Sequence, residues 1–255
     1  MEIGKKVRIS RRLQAICHMV TPGNSVVDVG CDHGFASIYL VQENLSPGVI
    51  AMDVRQGPLR SAAEHIRQYG LEDYIETRLS DGLSAYEAGE ARSLICAGMG
   101  GRLMQKILTQ GQEKARVLEE LILQPQSELM EFRRFLRQSG YWILAEDILR
   151  EEGKYYFLMK AVYRGDFNRG EESYGERKSQ GSGMLSETEL SDRYGGLLLR
   201  ARHPVLKQYL ETCLETKCRI AETLRGNESS KAGRKLDEVQ AEIQYLRQAL
   251  MLYQQ

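Results

Sequence analysis

Val26-Val27-Asp28-Val29-Gly30-Cys31-Asp32-His33-Gly34-Phe35 is the stretch whose reading decides the fold. An apolar run interrupted by one acid ends at Gly30, a second glycine follows at Gly34, and an amphipathic segment (Ala36, Ile38, Tyr39, Leu40, Val41) comes next. That order reads as strand, tight turn, helix. Gly30 is expected where the chain reverses at close quarters, and Gly34 where the new helix packs near the strand it has left. Such a turn offers bare backbone N–H groups and a helix N-terminus to whatever sits above the strand ends.

A dinucleotide fingerprint would need glycine at positions 32 and 35, and these are Asp32 and Phe35. A carboxylate where the backbone should approach a pyrophosphate repels it, so the loop disfavours NAD. An acid-lined loop suits an uncharged or cationic nucleoside, and S-adenosylmethionine carries both a sulfonium and an amino group.

Working outward, Ser10 caps a helix whose apolar residues are Leu13, Ile16, Cys17 and Val20. After the glycine turn, Val49–Val54 is a second short strand with Asp53 at its tip, where this kind of fold holds a ribose. Residues 75–79 alternate as an edge strand and lead into Asp81-Gly82. Residues 93–97 form a fourth strand followed at once by Gly98-Met99-Gly100-Gly101, and 121–125 a fifth that ends in Gln124-Pro125. A helix with a basic face (Arg133, Arg134, Arg137) precedes a terminal hairpin, 141–149 with 155–162. The predicted architecture is α/β, a doubly wound sheet of seven strands with an antiparallel strand at one side.

Composition changes after Tyr163. Residues 1–164 are expected to form the sheet domain, 165–199 a linker region that begins polar and Gly-rich, and 200–255 an antiparallel helical (coiled-coil) hairpin. The hairpin seams are read as Leu206, Leu210, Cys213, Lys217, Ile220 and Leu224, then Leu236, Val239, Ile243, Leu246, Leu250 and Tyr253. Self-packing, dimerisation and gripping a partner would all use those stripes.

The composition is that of an ordinary water-soluble domain, 42% hydrophobic and 27% charged, with no apolar run long enough to span a bilayer and no apolar signal core at the N-terminus. A cytoplasmic protein without membrane contact is expected. Five cysteines with no Cys-x-x-Cys pair argue against a zinc site or disulfide framework, and no metal is expected. Cys31 and Cys96 read as small buried residues rather than nucleophiles. A formal net charge of zero argues against a uniformly basic nucleic-acid coat, although Lys5, Lys6, Arg8, Arg11 and Arg12 cluster near the N-terminus.

The acids Asp28, Asp53 and Asp81 with Gly30 and Gly34 resemble the class I S-adenosylmethionine-dependent methyltransferases, whose sheet is Rossmann-like. Ser10–Gln14, Asp28–His33, Asp81–Leu83, Ala97–Gly101 and Leu121–Pro125 together resemble the bacterial tRNA adenine-22 N1-methyltransferase family, TrmK, which also carries a C-terminal helical hairpin. The resemblance implies a cofactor site of Asp28, Gly30, Cys31, Asp32, Gly34, Asp53, Val54, Asp81, Gly82, Ala97 and Gly98. It implies a substrate side over Ala97, Gly98, Met99, Gly100, Gly101, Gln124 and Pro125, with tRNA as partner and the hairpin helping to hold it; the basic residues Lys5, Lys6, Arg8, Arg11 and Arg12 are added to that side from their charge. Asp32, His33 and Arg12 are the catalytic candidates, and the alternative for Asp32 and His33 is that they only shape the cofactor loop. A monomer is expected. The competing functional reading is a methyltransferase acting on another RNA or a small molecule, with the hairpin as an oligomer contact.

Overall fold

The computed structural model describes residues 6–165, 186–226 and 230–254. Lys5 and residues 166–185 of the expected linker lie outside the described residues. The chain divides into two compact units, Met1–Asp166 and Phe167–Gln255.

The first unit runs α1 (Arg11–Met19), β1 (Val26–Val29), α2 (Phe35–Gln42), β2 (Val49–Asp53), α3 (Gln56–Gln68), β3 (Ile75–Leu79), β4 (Ser93–Met99), α4 (Gly101–Gln110), α5 (Gln112–Ala115), β5 (Glu120–Pro125), α6 (Leu129–Gln138), β6 (Tyr141–Glu151) and β7 (Lys154–Tyr163). The seven strands form one sheet in the order β3-β2-β1-β4-β5-β7-β6. β1 pairs in parallel with β2 and with β4, whereas β7 runs antiparallel to β5 and β6. The predicted seven-stranded α/β architecture is therefore the one observed.

Side-chain alternation divides the core between the two faces of the sheet. Val27, Val29, Leu94 and Leu121 pack with Met104 and Leu108 of α4 and Phe132 and Leu136 of α6. Val26, Ala51, Ile95 and Ile122 pack on the other face with Ile16 of α1, Ile38 and Leu40 of α2, and Ala62 and Ile66 of α3. Strands covered on both faces explain the near-continuous apolar runs of the sequence.

At the amino ends of the strands Glu120 is buried and fully engaged. Its carboxylate accepts from Thr21 N at 2.7 Å, Thr21 Oγ1 at 2.6 Å and Ser93 Oγ at 2.7 Å, and Lys160 Nζ lies 2.6 Å away. A buried carboxylate with a cation and several donors ties β4, β5, β7 and the loop after α1 together.

Three expectations need correction. The basic face of α6 is not all surface: Arg133 is 3% exposed, donates through Nε to Glu146 Oε1 at 2.8 Å and stands over the Phe157 ring. Residues expected in the linker form helices instead, α7 (Glu187–Tyr194) and α8 (Gly196–Arg200). α7 starts with a capping box between Ser186 and Glu189, and Leu190, Leu198 and Leu199 are buried, so this part has an apolar side of its own. Finally, α9 (Pro204–Arg225) and α10 (Ser230–Met251) do pack antiparallel, with Tyr253 Oη donating to His203 O and Lys217 paired with Glu242. The seam in α9, however, runs Leu206, Leu210, Leu214, Cys218, Ala221 and Leu224, while Ile220 is exposed. The steps of four outnumber those of three, which follows the 3.6-residue turn rather than a strict heptad.

Breaking the Arg133–Glu146 pair leaves a buried charge without its counter-ion. Arg133→Leu is expected to lower stability by about 3 kcal/mol, and adding Glu146→Leu to recover most of it. Urea unfolding followed through Trp142, the single tryptophan of the chain, checks both.

Candidate active site

β1 is the point from which the chain turns to β2 on one side and to β4 on the other, and at such a switch point the loops diverge and leave a crevice at the carboxyl ends of the strands. Here that crevice is a cavity of about 530 Å³, of a size to take a small molecule.

The glycine turn forms its floor. Gly30 N and Cys31 N both donate to Met52 O, at 2.7 and 2.9 Å, which ties the turn to the end of β2. Gly30 has φ +77°, a backbone conformation that favours glycine, and a Cβ there would sit 2.0 Å from Met99 Cε and push that flexible side chain aside. Gly34 serves a different contact from the one expected. Its missing Cβ would meet Ala62 Cβ at 3.1 Å, so it lets α2 start against α3 rather than against β1, and it does not line the cavity.

The acids converge as the sequence suggested. Asp28 is 4% exposed and accepts from Ser37 Oγ at 2.7 Å. Burial pushes its carboxyl up to about 6; the Ser37 hydroxyl works against that rise and the charge of Asp53 adds to it. Asp53 is buried at the tip of β2 and accepts from Arg55 N at 2.8 Å. Asp81, Gly82, Val54, Ala97 and Gly98 line the same cavity. Cys31 and Cys96 are buried, and burial raises both thiols, Cys96 to about 12, which leaves them protonated and inert as nucleophiles.

Asp32 and His33 stand on the rim. Asp32 has φ +52°, its side chain is 63% exposed, and its Oδ1 lies 3.7 Å from His33 Nε2. His65 Nδ1 donates to His33 O at 3.0 Å, and the His65 ring stacks on Phe35 at 4.6 Å, so α3 supports this rim.

The opposite wall comes from α1, β4 and β5. Glu151 accepts from the free N–H groups of Arg11 and Arg12, at 2.7 and 3.4 Å, which anchors the start of α1. Arg12 Nη1 donates to Gln124 Oε1 at 2.8 Å while the guanidinium stands 5.4 Å over the Tyr156 ring. Gln124 and Pro125 are buried and do not line the cavity; Gln124 holds Arg12, and the wall position belongs to Gln126. Gly98 (φ +78°) lies where the β4–β5 register shifts, between Ala97 and Met99. Gly100 and Gly101 make room for a neighbouring loop rather than for a ligand: a Cβ on Gly101 would lie 2.6 Å from Ser127 O. Met99 and Arg12 line the cavity; Lys6 (2.9 Å from Glu43), Arg8 and Arg11 are exposed and do not. Sequence reasoning did not place Leu13, Ile16, Phe35, Leu103, Ile107, Arg55 or Gln126 in the wall. Leu13 and Ile16 belong to an apolar stripe indistinguishable from core.

Among the described residues no group of three His, Cys, Asp or Glu side chains is arranged to hold a metal, and no helix is long and apolar enough to cross a membrane.

A methyltransferase domain family profile matches residues 9–159. The tRNA (adenine(22)-N(1))-methyltransferase of Bacillus subtilis is 35% identical over 156 residues, 61% of this chain and 66% of that protein. The crystal structure of the Bacillus subtilis m1A22 tRNA methyltransferase TrmK superposes with a TM-score of 0.79 at 28% identity, covering 96% of this chain and 100% of that one. A Streptococcus pneumoniae protein in complex with S-adenosyl-L-methionine gives a TM-score of 0.76 at 30% identity, covering 95% and 100%. The chain belongs to the TrmK methyltransferase family. In this TrmK-family chain the matched profile runs from Ile9 to Met159, so it spans α1, the glycine turn and every acid-tipped strand of the cavity.

Two outcomes follow from the geometry. Gly30→Ala places a methyl against Met99 and strains the turn, and calorimetry is expected to show no S-adenosylhomocysteine binding by a folded variant. Asp28 holds its proton more tightly folded than unfolded, so wild-type stability relative to Asp28→Asn falls as pH rises from about 4 to about 6. It then levels off about 3 kcal/mol lower, a difference that denaturant titrations across that range read directly.

Proposed function

We propose that this chain transfers a methyl group from S-adenosylmethionine to N1 of adenine-22 in tRNA. The observation that carries the reading is the cavity itself, with buried carboxyls at one end and the Arg12, Met99 and Gln126 wall at the other. The residues present suit the cofactor. Asp53 offers a buried carboxylate for a ribose, Asp81-Gly82 with Val54 bracket an adenine, and Gly30, Cys31 and Asp32 offer backbone and negative charge to a sulfonium amino acid. When bound, S-adenosylmethionine supplies an electrophilic methyl group whose departure leaves a neutral thioether.

The in-plane lone pair of adenine N1 attacks without prior loss of a proton, so the chain's work is orientation and electrostatics. Held geometry alone contributes roughly 7–11 kcal/mol in well-oriented reactions. As the N1–methyl bond forms the ring becomes cationic, and Asp32 at the rim stabilises that charge. His33 orients Asp32 or accepts a proton from the exocyclic amine. Arg12, held by Gln124 and Tyr156, pins the phosphate or sugar of a nucleotide drawn out of its stack, a step that costs on the order of a few kcal/mol. The antiparallel pair α9–α10 carries the remaining contacts to tRNA.

Incubation of the purified chain with labelled cofactor and an unmodified tRNA transcript, followed by nuclease digestion and mass spectrometry, is expected to yield 1-methyladenosine at position 22. Label at another base, or none, overturns the reading. Asp32→Ala is expected to lower kcat roughly 100-fold, as loss of one electrostatic stabiliser does, with little change in cofactor affinity; equal loss of both reassigns Asp32 to the cofactor loop.

A further inference from the structure

The loop after β3 carries Ser80, Asp81 and Gly82 into the cavity, yet it is neither helix nor strand. Five consecutive carbonyls, residues 82 to 86, each accept from a side chain. Ser80 Oγ donates to Gly82 O at 2.9 Å and Arg78 Nη1 to Ala85 O at 2.7 Å. The other three go to one ammonium: Lys114 Nζ donates to Leu83 O at 3.3 Å, to Ser84 O at 3.1 Å and to Tyr86 O. An ammonium has three protons and no preferred plane, so three carbonyls converging on one point match it donor for acceptor.

Close packing fixes the other side of the loop. A Cβ on Gly111 would lie 2.8 Å from Leu83 Cβ, and one on Gly82 3.2 Å from Ile107, so the loop rests on the end of α4 just where α5 brings Lys114 beneath it. The Lys114 side chain is only 28% exposed, with Glu87 Oε1 at 3.7 Å as its acidic neighbour. Removing the ammonium leaves Leu83 O with only the Tyr86 N–H at 3.2 Å and takes from Ser84 O and Tyr86 O the donor they share, so the loop shifts to hydrate them.

We propose that Lys114 is a positioning residue for the adenosine end of the cofactor: by gathering the carbonyls of Leu83, Ser84 and Tyr86 it sets where Asp81 and Gly82 stand in the cavity. It touches neither reacting atoms nor substrate. This rests on the reading that the cavity binds S-adenosylmethionine with its adenine over Asp81-Gly82.

The test measures S-adenosylhomocysteine and 5′-methylthioadenosine binding by calorimetry on the full chain. Lys114→Met keeps the aliphatic stem and is expected to raise Kd about tenfold for both ligands, as loss of charge-assisted hydrogen bonds does. The equal factor marks the shared adenosine end. The KM for S-adenosylmethionine rises in parallel, with kcat at saturating cofactor within about twofold. Lys114→Arg, whose planar fork reaches fewer of the three carbonyls, is expected to give a smaller rise of about threefold; it carries the test if Lys114→Met does not fold. Thr21→Val, which loosens the Glu120 network at the far end of the sheet, is the control for general destabilisation and leaves Kd unchanged. Unchanged binding in the folded Lys114 variants, or equal weakening in Thr21→Val, overturns the proposal alone. Wild-type protein that binds neither ligand overturns it together with the assigned cofactor.

Discussion

A carboxyl buried at the centre of a parallel sheet, answered by the Ser37 hydroxyl, is the constraint on which the site depends. Asp28 sits in β1 with apolar strands on both sides, and burial alone makes its ionised form costly. The same strand then turns at Gly30 under Met99, with two N–H groups already committed to Met52 O. A ligand bringing positive charge to that place relieves the cost of the acid, and a phosphate increases it. A preference for positive charge is thus built into the strand at Asp28, and Asp32 in the loop that follows adds to it.

The two ends of the sheet show what a buried acid does under different arrangements. At the amino ends Glu120 has a lysine, two hydroxyls and a backbone donor within hydrogen-bond distance, and it works as a structural tie. At the carboxyl ends Asp28 and Asp53 face a cavity, and Asp53 is met mainly by the backbone of Arg55. Satisfied charge holds strands together; charge that faces a cavity is available to a ligand.

The walls of the cavity are held with unequal means. The wall that carries Arg12 depends on long-range side-chain contacts: Glu151 seats the start of α1, and Gln124 and Tyr156 hold Arg12. The wall formed by the loop after β3 depends on side chains that take over the carbonyls of an irregular segment. Strand backbone gives each region one fixed point: Met52 O holds the glycine floor, Asp53 O accepts from Ser80 N at 3.0 Å, and Met99 O accepts from Gln126 N at 2.8 Å. Changes far from the chemistry can therefore move either wall without touching the floor.

The residues that name the fold are readable locally. Alternating apolar runs and amphipathic segments, Ser10 as a cap, and acids at the tips of the runs ending near Asp28 and Asp53 follow from periodicity and turn chemistry within a few neighbours, and from these the sheet, its antiparallel end and the acidic site were legible. What neighbours across the chain decide was not. Gln124 rather than Gln126 holds Arg12, Gly101 makes room for Ser127, Gly34 for Ala62, Arg133 pairs inside with Glu146, and Lys114 reaches beneath the loop after β3. Each is a contact between segments distant in sequence, and a glycine or a charge looks the same in the chain whether it faces a ligand or another strand's backbone. Periodicity specifies which residues turn inward; only the assembled sheet decides what they meet there.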